Sequence, residues 1–466
     1  MSGDTPFGFG FGSADRGDNG DPVPGGGPGG FDMNSIGAAL QQLGAMLQGA
    51  GSAESSGPVN WTMVRDVARQ ALVTPDGKPG GDPSVSEAAA RAVTEAIHLA
   101  DIWLDEATTL PATAGQTRAW SRSEWLEETL PMWQRYVEPI ARHMQQVVGA
   151  SMPDTAEIAT MDPQELAAAL PEQMRDMFPG GMPPEMLSML QPMLAMVKQL
   201  SAAAFSMQLG NALAALATEV VSASDIGIPL LEAGTCALLP RNVELLGEGI
   251  GVGADEVRLY LALRESAHQR LFAHVPWLRA RMVGAIEEYA RGIQVDPERL
   301  QEAMTDVDMS NPEALQELMS SGLLQPQDTE EQRAAIARLE TLLALVEGWV
   351  DEVVTSAVGD RLPSASALQE TMRRRRAAGG PAERTFSALI GMDLRPRALR
   401  EAATLFAAMR AKGGIEARDA LWVHPDMLPD ADDLKDPLGF IERSDAELDL
   451  GESSSEEPNS DEPNAG

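Results

Sequence analysis

Apolar residues return every third or fourth position along most of this chain, and that spacing constrains the fold more than any other feature. It is the period of one face of an α-helix, so the chain has to bury its core between helices. One region reads otherwise. Residues Ile226 to Pro240, IGIPLLEAGTCALLP, hold two short apolar runs punctuated by Gly and Pro, the pattern of a small β element. The core composition agrees with helices. Apolar types make up 44% of the 466 residues and aromatics only 5%, which leaves Ala, Leu, Val and Met to fill the interior.

Organisation follows from where the periodicity starts and stops. Residues 1–58 are expected to be a disordered region, rich in Gly, Pro and Asp, with a short amphipathic segment at 34–49. A helical N-terminal domain is expected over 59–200. Asn60 caps its first helix, and Ser84 or Ser86 its second. A third begins near Ser123. The Met- and Pro-rich stretch from 150 to about 195 reads as plastic core packing, ahead of a mobile lid. A second domain is expected over 201–436. It carries helices at 256–275, 277–291, 329–358, 362–376 and 394–409, with short helices in an acidic insertion at 296–324. The run Arg373–Arg376 reads as a solvated helix end. Residues 437–466 read as a disordered acidic tail.

Charge narrows the partners. With 70 acidic against 35 basic residues, the formal charge is −35, which repels nucleic-acid phosphates and anionic lipid. The segment Ser201–Thr218 is mostly Ala and Ser and reads as a buried helix, not a membrane span. No secretory leader is expected at the start. Cys236 stands alone, so no intrachain disulfide forms, which fits a reducing cytoplasm. Basic residues are almost all Arg, and Ala and Gly abound; this points to a GC-rich, actinobacterial coding genome.

Chemistry is concentrated at Leu263–His274, LRESAHQRLFAH. The stretch resembles the zinc-protease helix H-E-x-x-H with its first letter changed. In that motif two His four residues apart share one helix face and grip Zn²⁺, and the Glu between them is the general base. Glu265 stands at the base position and His268 at the second ligand, but Arg264 stands at the first. A guanidinium stays protonated and offers no lone pair to a metal. None of His98, His143, His274 or His424 is placed by sequence to replace the missing imidazole. Farther on, Glu347 and Asp351 lie four apart and so share a helix face. A bidentate pairing of Arg264 with one of these carboxylates would fill part of the space of the absent cation.

Several stretches together resemble the actinobacterial zincin-like proteins labelled zinc-dependent metalloproteases or associated with deazaflavin-coenzyme biosynthesis. They are HLADIWLDEATTLP, QLGNALAALATEV, SDIGIPLL, LALRESAHQRLFAHVPWL and LVEGWVDEVV. The resemblance implies a mainly α, zincin-like metalloprotease fold with a helical N-terminal region and at most a small β element. It also implies Glu265 as general base, His268 and Glu347 as metal ligands, and Asp351 and Arg264 in supporting places around them. Because Arg264 departs from the pattern, zinc is expected to bind weakly or not at all. The reading that follows is a pseudoenzyme that keeps its cleft for packing or for a peptide or protein partner. Two others stand beside it: an active zinc hydrolase with an altered ligand set, and a scaffold acting through disordered acidic ends.

Overall fold

The computed structural model describes residues 57–73, 81–150, 184–293, 329–377 and 398–443. The expectations for residues 1–56, most of the Met-rich stretch, the acidic insertion and the end of the tail lie outside them. Among the described residues the elements in chain order are α1 (Trp61–Val73), α2 (Glu87–Leu104), β1 (Thr117–Ala119), α3 (Arg122–Ala150), α4 (Pro184–Glu219) and β2 (Cys236–Leu238). There follow α5 (Pro240–Ile250), α6 (Ala254–His274), α7 (Pro276–Arg291), α8 (Glu330–Val358), α9 (Ala365–Ala377) and α10 (Leu399–Ala420). The fold is mainly α, as the periodicity requires.

Helix starts follow local chemistry. Asn60 Oδ1 accepts from Met63 N at 3.0 Å, and Ser86 Oγ accepts from Ala89 N at 3.2 Å. The cap of α3 is Ser121 rather than Ser123: its Oγ accepts from Glu124 N while Glu124 accepts from Ser121 N, a reciprocal capping box. Thr329 and Gln332 form another at the start of α8. Pro276 opens α7 from its first position, where a missing N–H costs nothing. Two boundaries read from composition fall inside helical chain: α4 runs through residue 200, and residues 437–443 are helical. Ser201–Thr218 lies within α4, and no helix among the described residues is long and apolar enough to cross a membrane.

Two helices form the centre. Every residue of α6 from Tyr260 to Phe272 is buried, and so is every residue of α8 from Leu342 to Val354. Helix α6 packs on α2 and α8, and α8 packs on α7 and α10. Both stretches carry charged residues in their interior, so those charges need partners.

The β element is smaller than the sequence pattern suggests and lies partly elsewhere. Cys236–Leu238 pairs in parallel with Thr117–Ala119, Cys236 opposite Thr117. Residues 226–231 are instead a buried loop. Buried backbone outside helix or sheet has to find other partners. Ser224 N donates to Glu265, Gly234 N to Gln269, and Val221 N to the Asp225 carboxylate. The carbonyls of Asp225, Pro229 and Leu231 accept from Arg376, Tyr136 and Arg279. Side chains thus do for this loop what a ladder does for a strand.

Candidate functional site

The altered motif faces α8, α9 and the buried loop. Arg264 and His268 lie one turn apart on α6, Glu347 and Asp351 one turn apart on α8, and these four side chains meet. Arg264 Nη2 donates to Glu347 Oε2 at 2.5 Å, and Arg264 Nη1 lies 3.9 Å from Asp351 Oδ1. His268 Nε2 faces Glu347 Oε1 at 3.1 Å, while its Nδ1 donates to the carbonyl of Arg264 at 2.8 Å. Nδ1 is thus committed to donating, and Nε2 is the ring nitrogen turned toward the Glu347 carboxylate.

Helix α9 completes the cluster, and here the reading of Arg373–Arg376 as a solvated end is corrected. Only Arg374 fits it, with 78% of its side chain exposed and Glu370 as its partner. Arg373 donates to Asp351 Oδ2 at 2.6 Å, and Arg375 to Asp225 Oδ2 at 2.8 Å. Arg376 Nη2 donates to Glu347 Oε1 at 2.5 Å. The physical cause is charge balance: Asp225, Glu347 and Asp351 are all buried, and burying them without cations would be costly. Sequence reasoning missed these arginines because their partners lie 22 to 150 residues away. Tyr260 was also missed. Its hydroxyl bonds Arg264, and burial pushes it up to about 12.

Electrostatics separate the two glutamates. Burial alone would raise Glu347, but Arg376, His268 and Arg264 hold its carboxyl well below the ordinary range. Burial works against the charge on Arg264, yet Glu347, Tyr260 and Asp351 raise it above its usual value. Glu265 is the reverse. It is fully buried, and burial pushes it up; His268 and the donors Ser222, Ser224 and Gln269 offset this only in part. Its oxygens are engaged: Ser224 N donates to Oε2 at 2.9 Å and Gln269 Nε2 to Oε1 at 3.1 Å. Cys236 is buried, and burial, then Glu265 and Asp101, push its thiol up, so it lacks the thiolate character of a nucleophile.

Of the remaining histidines, His143 faces the carbonyl of Ile293, His274 that of Pro111, and His424 accepts from Asp426 N. None reaches the motif. A catalytic Zn²⁺ site wants three protein ligands with free lone pairs. One position holds a guanidinium, and both oxygens of the carboxylate are occupied by cationic donors. Among the described residues no three His, Cys, Asp or Glu side chains form a group that could hold a metal. The residues in this arrangement do not fit the ion.

Comparison with known proteins places this geometry in a class. A family model described as zincin-like metallopeptidase matches residues 59–441, so the chain belongs to that family. A crystal structure from Chloroflexus aurantiacus, described as a candidate hydrolase with a novel fold, is similar at a TM-score of 0.54 and 19% sequence identity. That match covers 83% of this chain and 99% of the other, and it bears on the fold alone. No curated protein matches the chain significantly.

Proposed function

We propose that this chain is a catalytically silent zincin-like protein, in which the metal site has become a structural ion-pair cluster. The observation that carries the reading is the 2.5 Å contact of Arg264 Nη2 with Glu347 Oε2. A fixed cation stands against the carboxylate that the family pattern assigns to the metal. Glu265 supports the same reading, because both its oxygens already accept hydrogen bonds from Ser224 and Gln269, which leaves the carboxyl engaged in holding the loop. Its work is to hold the backbone of Ser224.

In this role the cluster ties α6, α8, α9 and the buried loop together, and the protein acts by binding a peptide or protein. The lone buried thiol suits a cytoplasmic setting. The narrower kinship with actinobacterial proteins of deazaflavin-coenzyme biosynthesis rests on the sequence stretches quoted above.

The test is metal analysis of protein purified without chelator, with peptidase assays in the presence of added Zn²⁺ and of chelator. No stoichiometric zinc and no chelator-sensitive hydrolysis are expected. A second reading, an active hydrolase with an altered ligand set, is favoured by the retained closeness of His268 and Glu347. Stoichiometric zinc together with chelator-sensitive hydrolysis would establish it instead.

A further inference from the structure

Arg264 is the visible departure from the motif, but it is not the cation on the carboxylate oxygen that faces His268. Arg264 holds Glu347 Oε2; His268 Nε2 faces the other oxygen, Oε1, at 3.1 Å. A zinc ion shared by this imidazole and this carboxylate would lie about 2 Å from each. The group already on Oε1 is Arg376 Nη2, at 2.5 Å. From these contacts we propose that Arg376, delivered by α9, is an internal cation that blocks the metal position independently of Arg264. The chain thus carries two barriers to zinc, one on the motif helix and one on a neighbouring helix.

The surroundings are shaped for that guanidinium. The same Nη2 also donates to the carbonyl of Asp225, so one nitrogen of Arg376 bridges the Glu347 carboxylate and the buried loop. Gly227, two residues on, has φ +74°, and a Cβ there would lie 2.9 Å from Glu347 Oε1 and 3.6 Å from Arg376 Nη1. Absence of a side chain at 227 leaves the space that carboxylate and guanidinium share. The rest of α9 presents a mixed attachment. Leu368 and Met372 are its buried apolar anchors, while Arg373 and Arg375 pin the last turns to Asp351 and Asp225.

This inference rests on the proposed loss of the metal site, and the experiment separates the two. Zinc content of the full chain is measured for wild type, Arg264→His, Arg264→His/Arg376→Gln and Arg264→His/Arg373→Ala, with circular dichroism to confirm folding. The Arg376→Gln change removes the charge and leaves a shorter, neutral amide side chain. Zinc is expected to be absent from the single variant and from the Arg373 double variant. It is expected to be equimolar in the Arg376 double variant, with a rise in melting temperature when zinc is added. Equimolar zinc in Arg264→His alone overturns the second barrier, as does equal loading of both double variants. A folded Arg264→His/Arg376→Gln protein that takes up no zinc also overturns it. Should that protein fail to fold without metal, refolding in the presence of Zn²⁺ decides: recovery with equimolar zinc supports the assignment, and no recovery counts against it. Zinc in the wild type would instead overturn the proposed function.

Discussion

Glu265 and Glu347 are both buried glutamates on adjoining central helices, yet their environments shift their carboxyls in opposite directions. Glu347 is met by two guanidinium groups and an imidazole, and stays ionised. Glu265 is met by a backbone N–H, an amide and hydroxyls, and burial favours its neutral form. Burial is common to both, so burial does not decide the outcome. The supply of formal cations separates them: two guanidinium groups reach Glu347, while the hydrogen bonds at Glu265 come from neutral donors and offset burial less. In a metallopeptidase a metal ion supplies that charge; in this chain arginines do.

The sharpest break of the comparison is Glu347→Gln. It takes the shared carboxylate away from Arg264 and Arg376, with Asp351 at 3.9 Å the remaining acid beside Arg264, and should cost about 3–5 kcal/mol, read by urea unfolding. A loss under about 1 kcal/mol would show that the cluster contributes little. The same variant reports the pH dependence. Glu347 titrates below its ordinary value in the folded state, so the unfolded state binds more protons as pH falls through that range. Its stabilisation is fully present above the ordinary carboxylate value and is lost progressively below it. Melting temperature should therefore fall more steeply on acidification in wild type than in Glu347→Gln, and parallel curves would remove Glu347 as the cause.

Gly227→Ala tests the space beside the carboxylate. The left-handed backbone and the 2.9 Å approach to Glu347 Oε1 together should lower stability by about 1–3 kcal/mol, seen as a lower melting temperature. An unchanged melt would mean the loop yields freely. Smallest of all should be Glu265→Gln, an uncharged near-isostere of a carboxyl whose neighbours bring no guanidinium to it, at about 1 kcal/mol or less. Were its loss to match that of Glu347→Gln, the contrast between the two sites would disappear.

Much of the helical order was legible because periodicity and caps are local. The ends of α6 and α8 agree with the sequence spacing to within a few residues, and the pairing of Arg264 with a carboxylate follows from motif geometry and charge. The missed features are tertiary. Three residues, Thr117–Ala119, become a strand only because Cys236–Leu238 lies beside them. Arg373, Arg375 and Arg376 look like solvent-facing charge until the buried acids opposite them are known. The spacing ends α10 near Met409, but the chain turns at a kink at Gly413 and Gly414 and is helical again to Ala420. That extension matters, since Arg418 and Asp419 form a second buried ionic network with Glu352 and Trp349.

Gly348 sits between Glu347 and Trp349, and a Cβ there would come within 2.5 Å of the Ala402 methyl. The bare backbone of α8 therefore seats on α10 like a key in its slot, and the helix is not free to roll about its axis. Roll is what aims side chains. With this bearing surface fixed, Glu347 and Asp351 meet the arginines of α6 and α9 and Glu352 meets those of α10, so one missing methyl keeps two charge systems from trading places.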